Sequence, residues 1–131
     1  MNDQQKRDLV LYQISKAKET LNEIEVHLKN EFWNTAVNRL YYACFYAVTA
    51  LLIDKELYSK THSGTKQLFG LHFIRPGIIT EVSGDYYTEI FELRQTGDYQ
   101  SFFIFDKEEV LALLQPARNL IAEIEQILSE V

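Results

Sequence analysis

The sequence predicts an all-α fold: an up-down bundle of four main helices plus one short extra helix, in a single domain over residues 1–131. Three observations point there. Apolar residues recur at alternating three- and four-residue spacings over long stretches, the period of an amphipathic helix. The 131 residues include only 5 Gly and 2 Pro, too few for the many tight turns of a sandwich or barrel. The short aromatic run from Gln100 to Phe105 could be a strand, but no second convincing strand exists to pair with it.

The first helix is expected from about Gln4 to Lys29, with Val10, Ile14, Ala17, Leu21, Ile24 and Leu28 on one face and Asn30 ending it. The second runs from about Glu31 to Lys55. Its core stripe is Trp33, Val37, Leu40, Cys44, Ala47 and Leu51, and a second row holds Thr35, Arg39, Tyr42 and Tyr46. Ala43, Ala47 and Ala50 permit close approach of another helix. Thr61 or Ser63 offers an N-cap for a short third helix reaching about Phe73, and Arg75-Pro76-Gly77 breaks the chain. The fourth helix is expected over Ile79 to Gln95, with Gly97 as its C-terminal cap. Asp106 with Glu109 forms a capping-box start for a fifth helix to about Ser129, kinked or broken near Gln115 by Pro116.

Composition bounds the function. At 47% hydrophobic and 24% charged the chain can bury an ordinary core. A net charge of −6 argues against a general preference for nucleic acid, which rests on Lys and Arg. Residues 57 to 80, however, hold no Asp or Glu and carry Lys60, His62, Lys66, His72 and Arg75, while acids gather at Glu108, Glu109, Glu123, Glu125 and Glu130. A local basic face and a plain solvated face both fit this pattern. The single cysteine, Cys44, lies in an apolar stretch and reads as a small buried hydrophobe in an intracellular, cytoplasmic chain. Met1 to Arg7 is unlike a secretory signal, and the uncharged stretch from Leu40 to Ile53 is too short to span a bilayer, so no membrane association is expected.

Neither a Walker loop, a Gly-x-Gly-x-x-Gly motif nor a Gly-x-Ser-x-Gly elbow occurs. His27 reads as a surface residue. His62 and His72 stand ten residues apart, which is no metal-ligand spacing; no metal site and no cofactor are expected. What remains is Arg94 with Asp98 and Tyr99, a guanidinium, a carboxylate and a phenol within six residues. Alone, such a pair at a helix end is usually structural.

Three motifs together carry more. Arg39-x-Tyr41-Tyr42-Ala43-x-Phe45 on helix two, Thr61-His62-Ser63-Gly64 opening helix three and Arg94-x-x-Gly97-Asp98-Tyr99 ending helix four occur in that order. In this the chain resembles the HEPN domain (higher eukaryotes and prokaryotes nucleotide-binding), in a small stand-alone prokaryotic branch. The resemblance covers nearly the whole chain. It implies a helical bundle, commonly a homodimer, often encoded beside a minimal nucleotidyltransferase. Many members are metal-independent ribonucleases, often toxins, marked by an Arg followed by a His after four to six intervening residues. Here those positions after Arg94 are Tyr99, Gln100 and Ser101, and no arginine in the chain has a His at that spacing.

Three readings follow. A binding module would hold a nucleotide or RNA phosphate with Arg94, Arg39, His62 and Lys66, stacking bases on Tyr42, Tyr46 and Tyr99, in a toxin–antitoxin-like or regulatory pair. An enzyme would need a rewired ribonuclease site, with His62 or Asp98 as the base beside Arg94. A purely structural protein would use Arg94–Asp98 to hold a turn. Tyr99 also lies where some members carry a tyrosine that the partner enzyme modifies with adenylyl groups.

Overall fold

A computed structural model describes residues 1–100 and 102–129 of the chain. It contains five α-helices and, among the described residues, no strand: α1 (Asp3–Lys29), α2 (Trp33–Asp54), α3 (His62–Phe69), α4 (Glu81–Tyr99) and α5 (Lys107–Ser129), with a π turn at Gly70–Ile74 closing α3. Ser101, within the aromatic connector, and Glu130, among the acids of the last helix, lie outside the described residues.

Four of the five helices begin where the sequence supplies a side-chain cap; α2, which follows Phe32, has none. Asn2 and Gln5 form a reciprocal capping box on α1. Thr61 Oγ1 accepts from Gly64 N at 2.9 Å to start α3, and Asp106 and Glu109 exchange side-chain and backbone hydrogen bonds at 2.8 and 3.1 Å to start α5. Asn30 ends α1, and Glu31 (φ 56°) turns the chain straight into α2.

Helix α2 is the axis of the bundle and packs against α1, α3, α4 and α5. Ala36, Val37, Leu40, Tyr41, Ala43, Cys44, Ala47, Val48, Ala50 and Leu51 have no exposed surface at all. The alanines let α1 approach through Ala17, itself fully buried. Cys44 is enclosed, and burial pushes its thiol well above the usual range, so it packs as a small hydrophobe. By length and composition α2 could cross a membrane, but 67% of its most apolar window is buried inside the fold.

Three expectations are corrected. Helix α4 does not end at Gln95 with Gly97 as cap: it continues through Gly97 to Tyr99. Gly97 is needed for a different reason, since a Cβ there would lie 2.8 Å from the Phe105 ring. The third helix does not stay α-helical to Phe73: it widens to a π turn after Phe69. Pro116 does not break α5, which is continuous around it. Val110 and Leu113 before the proline and Ala117, Leu120, Ile121 and Ile124 after it bury on the same core, so packing outweighs the lost backbone bond.

Candidate functional site

The site is built where α2 and α4 face each other. Asn34, Asn38, Tyr41 and Phe45 recur at four-, three- and four-residue spacing on one face of α2. Tyr87, Phe91, Arg94 and Asp98 repeat the same spacing on α4. The helices run antiparallel there: Asn38 reaches Asp98, while Tyr41 lies against Arg94, Phe91 and Tyr87.

Tyr41 is the centre. Its ring is fully buried, 6.1 Å from Tyr87 in a stack and 6.0 Å from Phe91 edge-on. The Arg94 guanidinium lies over that ring at 4.8 Å and near Tyr42 at 5.9 Å. The Tyr41 hydroxyl is 2.7 Å from His62 Nδ1. His62, the first residue of α3, also packs on Phe45 at 4.5 Å and meets Tyr42 edge-on at 5.7 Å. Arg94 and His62 therefore sit on one phenol from opposite sequence neighbourhoods.

Arg94 is only 7% exposed, yet it is poorly paired. Among the described residues its one contact with a carboxylate is a long one, 3.5 Å from Nη1 to Asp98 Oδ2, and its buried Nε has no partner there. Asp98 shares itself with Asn38, whose amide donates to both carboxylate oxygens at 3.3 and 3.2 Å. The Asn38 carbonyl in turn accepts from Arg39 Nε and Nη2 at 3.1 and 2.9 Å, and the Arg39 guanidinium lies over the Tyr42 ring at 5.0 Å. Four cations thus rest on four aromatic rings along this side: Arg94 on Tyr41, Arg39 on Tyr42, Lys66 on Phe91 at 4.9 Å and Lys16 on Tyr46 at 4.6 Å. A ring face is a weak substitute for an anion, so these cations keep their capacity to bind one.

The surroundings tune the two titrating groups at the centre. Burial, and next the Arg94 charge, hold the His62 imidazole below its ordinary pKa, so it stays neutral at neutral pH. Burial pushes the Tyr41 phenol up to about 12, which keeps its proton in place. Among the described residues no group of His, Cys, Asp and Glu could hold a metal ion.

Of the residues singled out in the sequence, Arg94, Asp98, Arg39, Tyr42 and His62 come together, and Lys66 adjoins them through Phe91. Tyr99 does not join them: it is the last residue of α4 and 76% exposed. Tyr41 stands in the helix-two motif but was not assigned a place in the site, and Asn38 was not picked out, although the row Asn34, Asn38, Tyr41, Phe45 carried the signal in its spacing. Asn34 serves the same end of the site. Its amide donates to the Phe103 carbonyl at 2.7 Å and its oxygen accepts from Phe105 N at 2.9 Å, pinning the connector after α4.

The chain is thus a small helical bundle with an under-paired cation at the end of its fourth helix, near a histidine opening its third. The HEPN domain family model matches residues 10–127, and the chain belongs to the HEPN family. Across the full chain it is 36% identical to a UPF0332 protein of Thermotoga maritima, covering 98% of that protein. Two Methanocaldococcus jannaschii proteins are also similar. "Putative toxin MJ0142" is 39% identical over 77% of this chain and 69% of its own length, and "Putative toxin MJ0605" is 34% identical over 88% and 85%.

Proposed function

We propose that this HEPN protein binds the phosphate of a nucleotide or of RNA at Arg94, as a homodimer working with a minimal nucleotidyltransferase partner in a toxin–antitoxin-like pair. The observation that carries the binding role is the state of Arg94. A buried charge is costly unless paired, and this guanidinium has one 3.5 Å contact and an orphaned Nε. A phosphate oxygen would supply the missing acceptor, with His62, Arg39 and Lys66 around it and Tyr42 offering a ring to a base. The toxin names of two relatives support the pair-like role. The test is titration of labelled oligoribonucleotide and ATP against wild type and Arg94→Ala. Binding by the wild type that Arg94→Ala loses is expected; no binding of either ligand by either protein rejects the reading.

A second reading, a ribonuclease with a rewired site, is favoured by one distance, the 2.7 Å contact from Tyr41 Oη to His62 Nδ1. If Nδ1–H donates to Tyr41, Nε2 keeps its lone pair as a general base for the ribose 2′-OH, and Arg94 stabilises the phosphorane charge. Asp98 is the weaker base of the two, being engaged by Asn38 and Arg94. Incubation with mixed RNA in EDTA reads this directly: cyclic-phosphate products that vanish in Arg94→Ala and His62→Ala support it, and uncut RNA rejects it. The exposed Tyr99 is open to adenylylation by the partner; an unchanged intact mass after coexpression rejects that part.

A further inference from the structure

Arg94 and Asp98 stand four residues apart on α4, the spacing at which opposite charges on one helix meet unaided. An arginine and a carboxylate that close on each other form a forked pair with contacts of about 2.7–2.9 Å. Here, among the described residues, the pair makes a single contact of 3.5 Å, from Nη1 to Oδ2. The spacing on α4 favours closure, so what holds the pair open lies on the element packed against it.

That element is α2, and it restrains both partners. Tyr41 takes the guanidinium, whose Cζ lies over its ring at 4.8 Å. Asn38, three residues earlier, takes the carboxylate: its amide nitrogen lies 3.3 and 3.2 Å from the two Asp98 oxygens. The orientation of that amide is set at its other end. A guanidinium can only donate, so Arg39 Nε and Nη2, at 3.1 and 2.9 Å, require the Asn38 oxygen to face them. The Asn38 NH2 group is then left for Asp98, which can only accept. Arg39 is itself placed over the Tyr42 ring at 5.0 Å. The contacts therefore run in order from Arg39 to Asn38 to Asp98 to Arg94.

We infer that Asn38 is a positioning residue: by holding Asp98 off Arg94, it keeps the buried guanidinium available to the anion of a ligand. The inference rests on the phosphate-binding reading above and says how the chain avoids filling that site with its own acid. A buried cation with an acid in reach gains by pairing with it, because an unpaired buried charge is costly. Asp98 is the more exposed partner, its side chain 31% exposed against 7% for Arg94, and so it is the one that moves if the pair closes. Without the Asn38 amide, the carboxylate closes on the guanidinium and occupies it. Asn38 touches neither Arg94 nor the ligand in this scheme and acts through Asp98.

The test joins a binding measurement to a ligand-free one, on the full chain as wild type, Asn38→Ala, Asp98→Ala and the double variant. ATP and a labelled oligoribonucleotide are the binding probes. Asn38→Ala should weaken binding about tenfold, the scale of one charge-assisted hydrogen bond. Asp98→Ala and the double variant should bind at least as tightly as wild type. Such rescue separates positioning from a merely structural role, since removing Asp98 does not repair a damaged fold. The ligand-free readout is rotation of the Arg94 guanidinium, followed by nitrogen-15 NMR of its side chain. Rotation should slow in Asn38→Ala, as the carboxylate grips it, and recover in the double variant. Unchanged rotation in Asn38→Ala, or a loss of affinity that the double variant does not recover, overturns the positioning role and leaves phosphate binding at Arg94 standing. Rotation that slows and recovers as expected, with neither probe bound by any variant, upholds the hold of Asn38 on Asp98 and rejects the phosphate reading.

Discussion

The two ends of α4 carry the same kind of device and use it differently. At the N-terminus the Glu123 carboxylate, reaching over from α5, accepts from Thr80 N at 3.0 Å, from Thr80 Oγ1 at 3.1 Å and from Ser83 Oγ. Thr80 Oγ1 in turn caps Ser83 N. Both Glu123 carboxylate oxygens and both hydroxyls there have a partner, and an acid at a helix N-terminus is also favoured by the helix dipole. At the C-terminus, among the described residues, the Asp98 carboxylate makes only contacts of 3.2 to 3.5 Å, and the guanidinium beside it keeps a buried, unpartnered N–H. A closed carboxylate clasp and a loose one on a single helix separate scaffold from site, because a fold gains nothing from leaving a buried cation half-paired.

The largest way to break the comparison is at the anchor of the loose end. Phe105 is 1% exposed and packs on Gly97 and on Phe103 at 4.9 Å. Phe105→Ala is expected to cost about 3–5 kcal/mol in urea unfolding, the range for a buried aromatic cut to alanine. A loss below about 1 kcal/mol would mean that the connector does not hold the site in solution.

Glu123→Ala removes the closed clasp. The expected loss is about 1–2 kcal/mol, from helix-cap donors left to water, with ligand affinity unchanged. A change in affinity there would erase the distinction between the two ends. Arg94→Leu sharpens it from the other side. Replacing an under-paired buried cation by an apolar residue should leave stability within about 1 kcal/mol of wild type, or raise it, while phosphate binding disappears. A loss above about 2 kcal/mol with no ligand effect would instead assign Arg94 to the scaffold.

The smallest expected effect is on pH. His62 titrates below its ordinary value in the folded chain. Between the folded and unfolded pKa values the unfolded chain therefore binds more protons, and stability rises with pH across that window. As pH falls below about 6.5, the unfolded reference, His62 contributes a loss that ends once the folded imidazole is also protonated. Melting curves from pH 7.5 to 5 should slope less in His62→Asn than in wild type; identical slopes would remove His62 from the buried cluster.

Much of this was legible in the sequence, for local reasons. Helical periods, the Asp106–Glu109 capping box, the Thr61 cap and the Asn30 terminus depend on residues within a turn of one another, and each stands where its pattern placed it. The HEPN motifs named Arg39, His62, Arg94 and Asp98, and four helices on one axis brought them together. Gly97 and Pro116 show where local reading stops. Glycine after an arginine-bearing last turn looks like a cap, but α4 runs past it, and the ring of Phe105, eight residues further on, leaves no room there for a Cβ. Proline in mid-pattern looks like a kink or a break, but six core residues keep α5 unbroken across it.

By itself the sequence determined five helices, their faces and the set of charged and aromatic residues at the site, because spacing along one helix is a local property. Only the tertiary structure decided that Tyr41 and not its neighbour Tyr42 is the buried centre. Adjacent positions on a helix point about 100° apart, and which of two tyrosines faces inward depends on where α3 and α4 lie. The same packing brought His62 to 2.7 Å from Tyr41 and left Arg94 short of partners, and a shortage of partners is a property of a neighbourhood that no single stretch of chain contains.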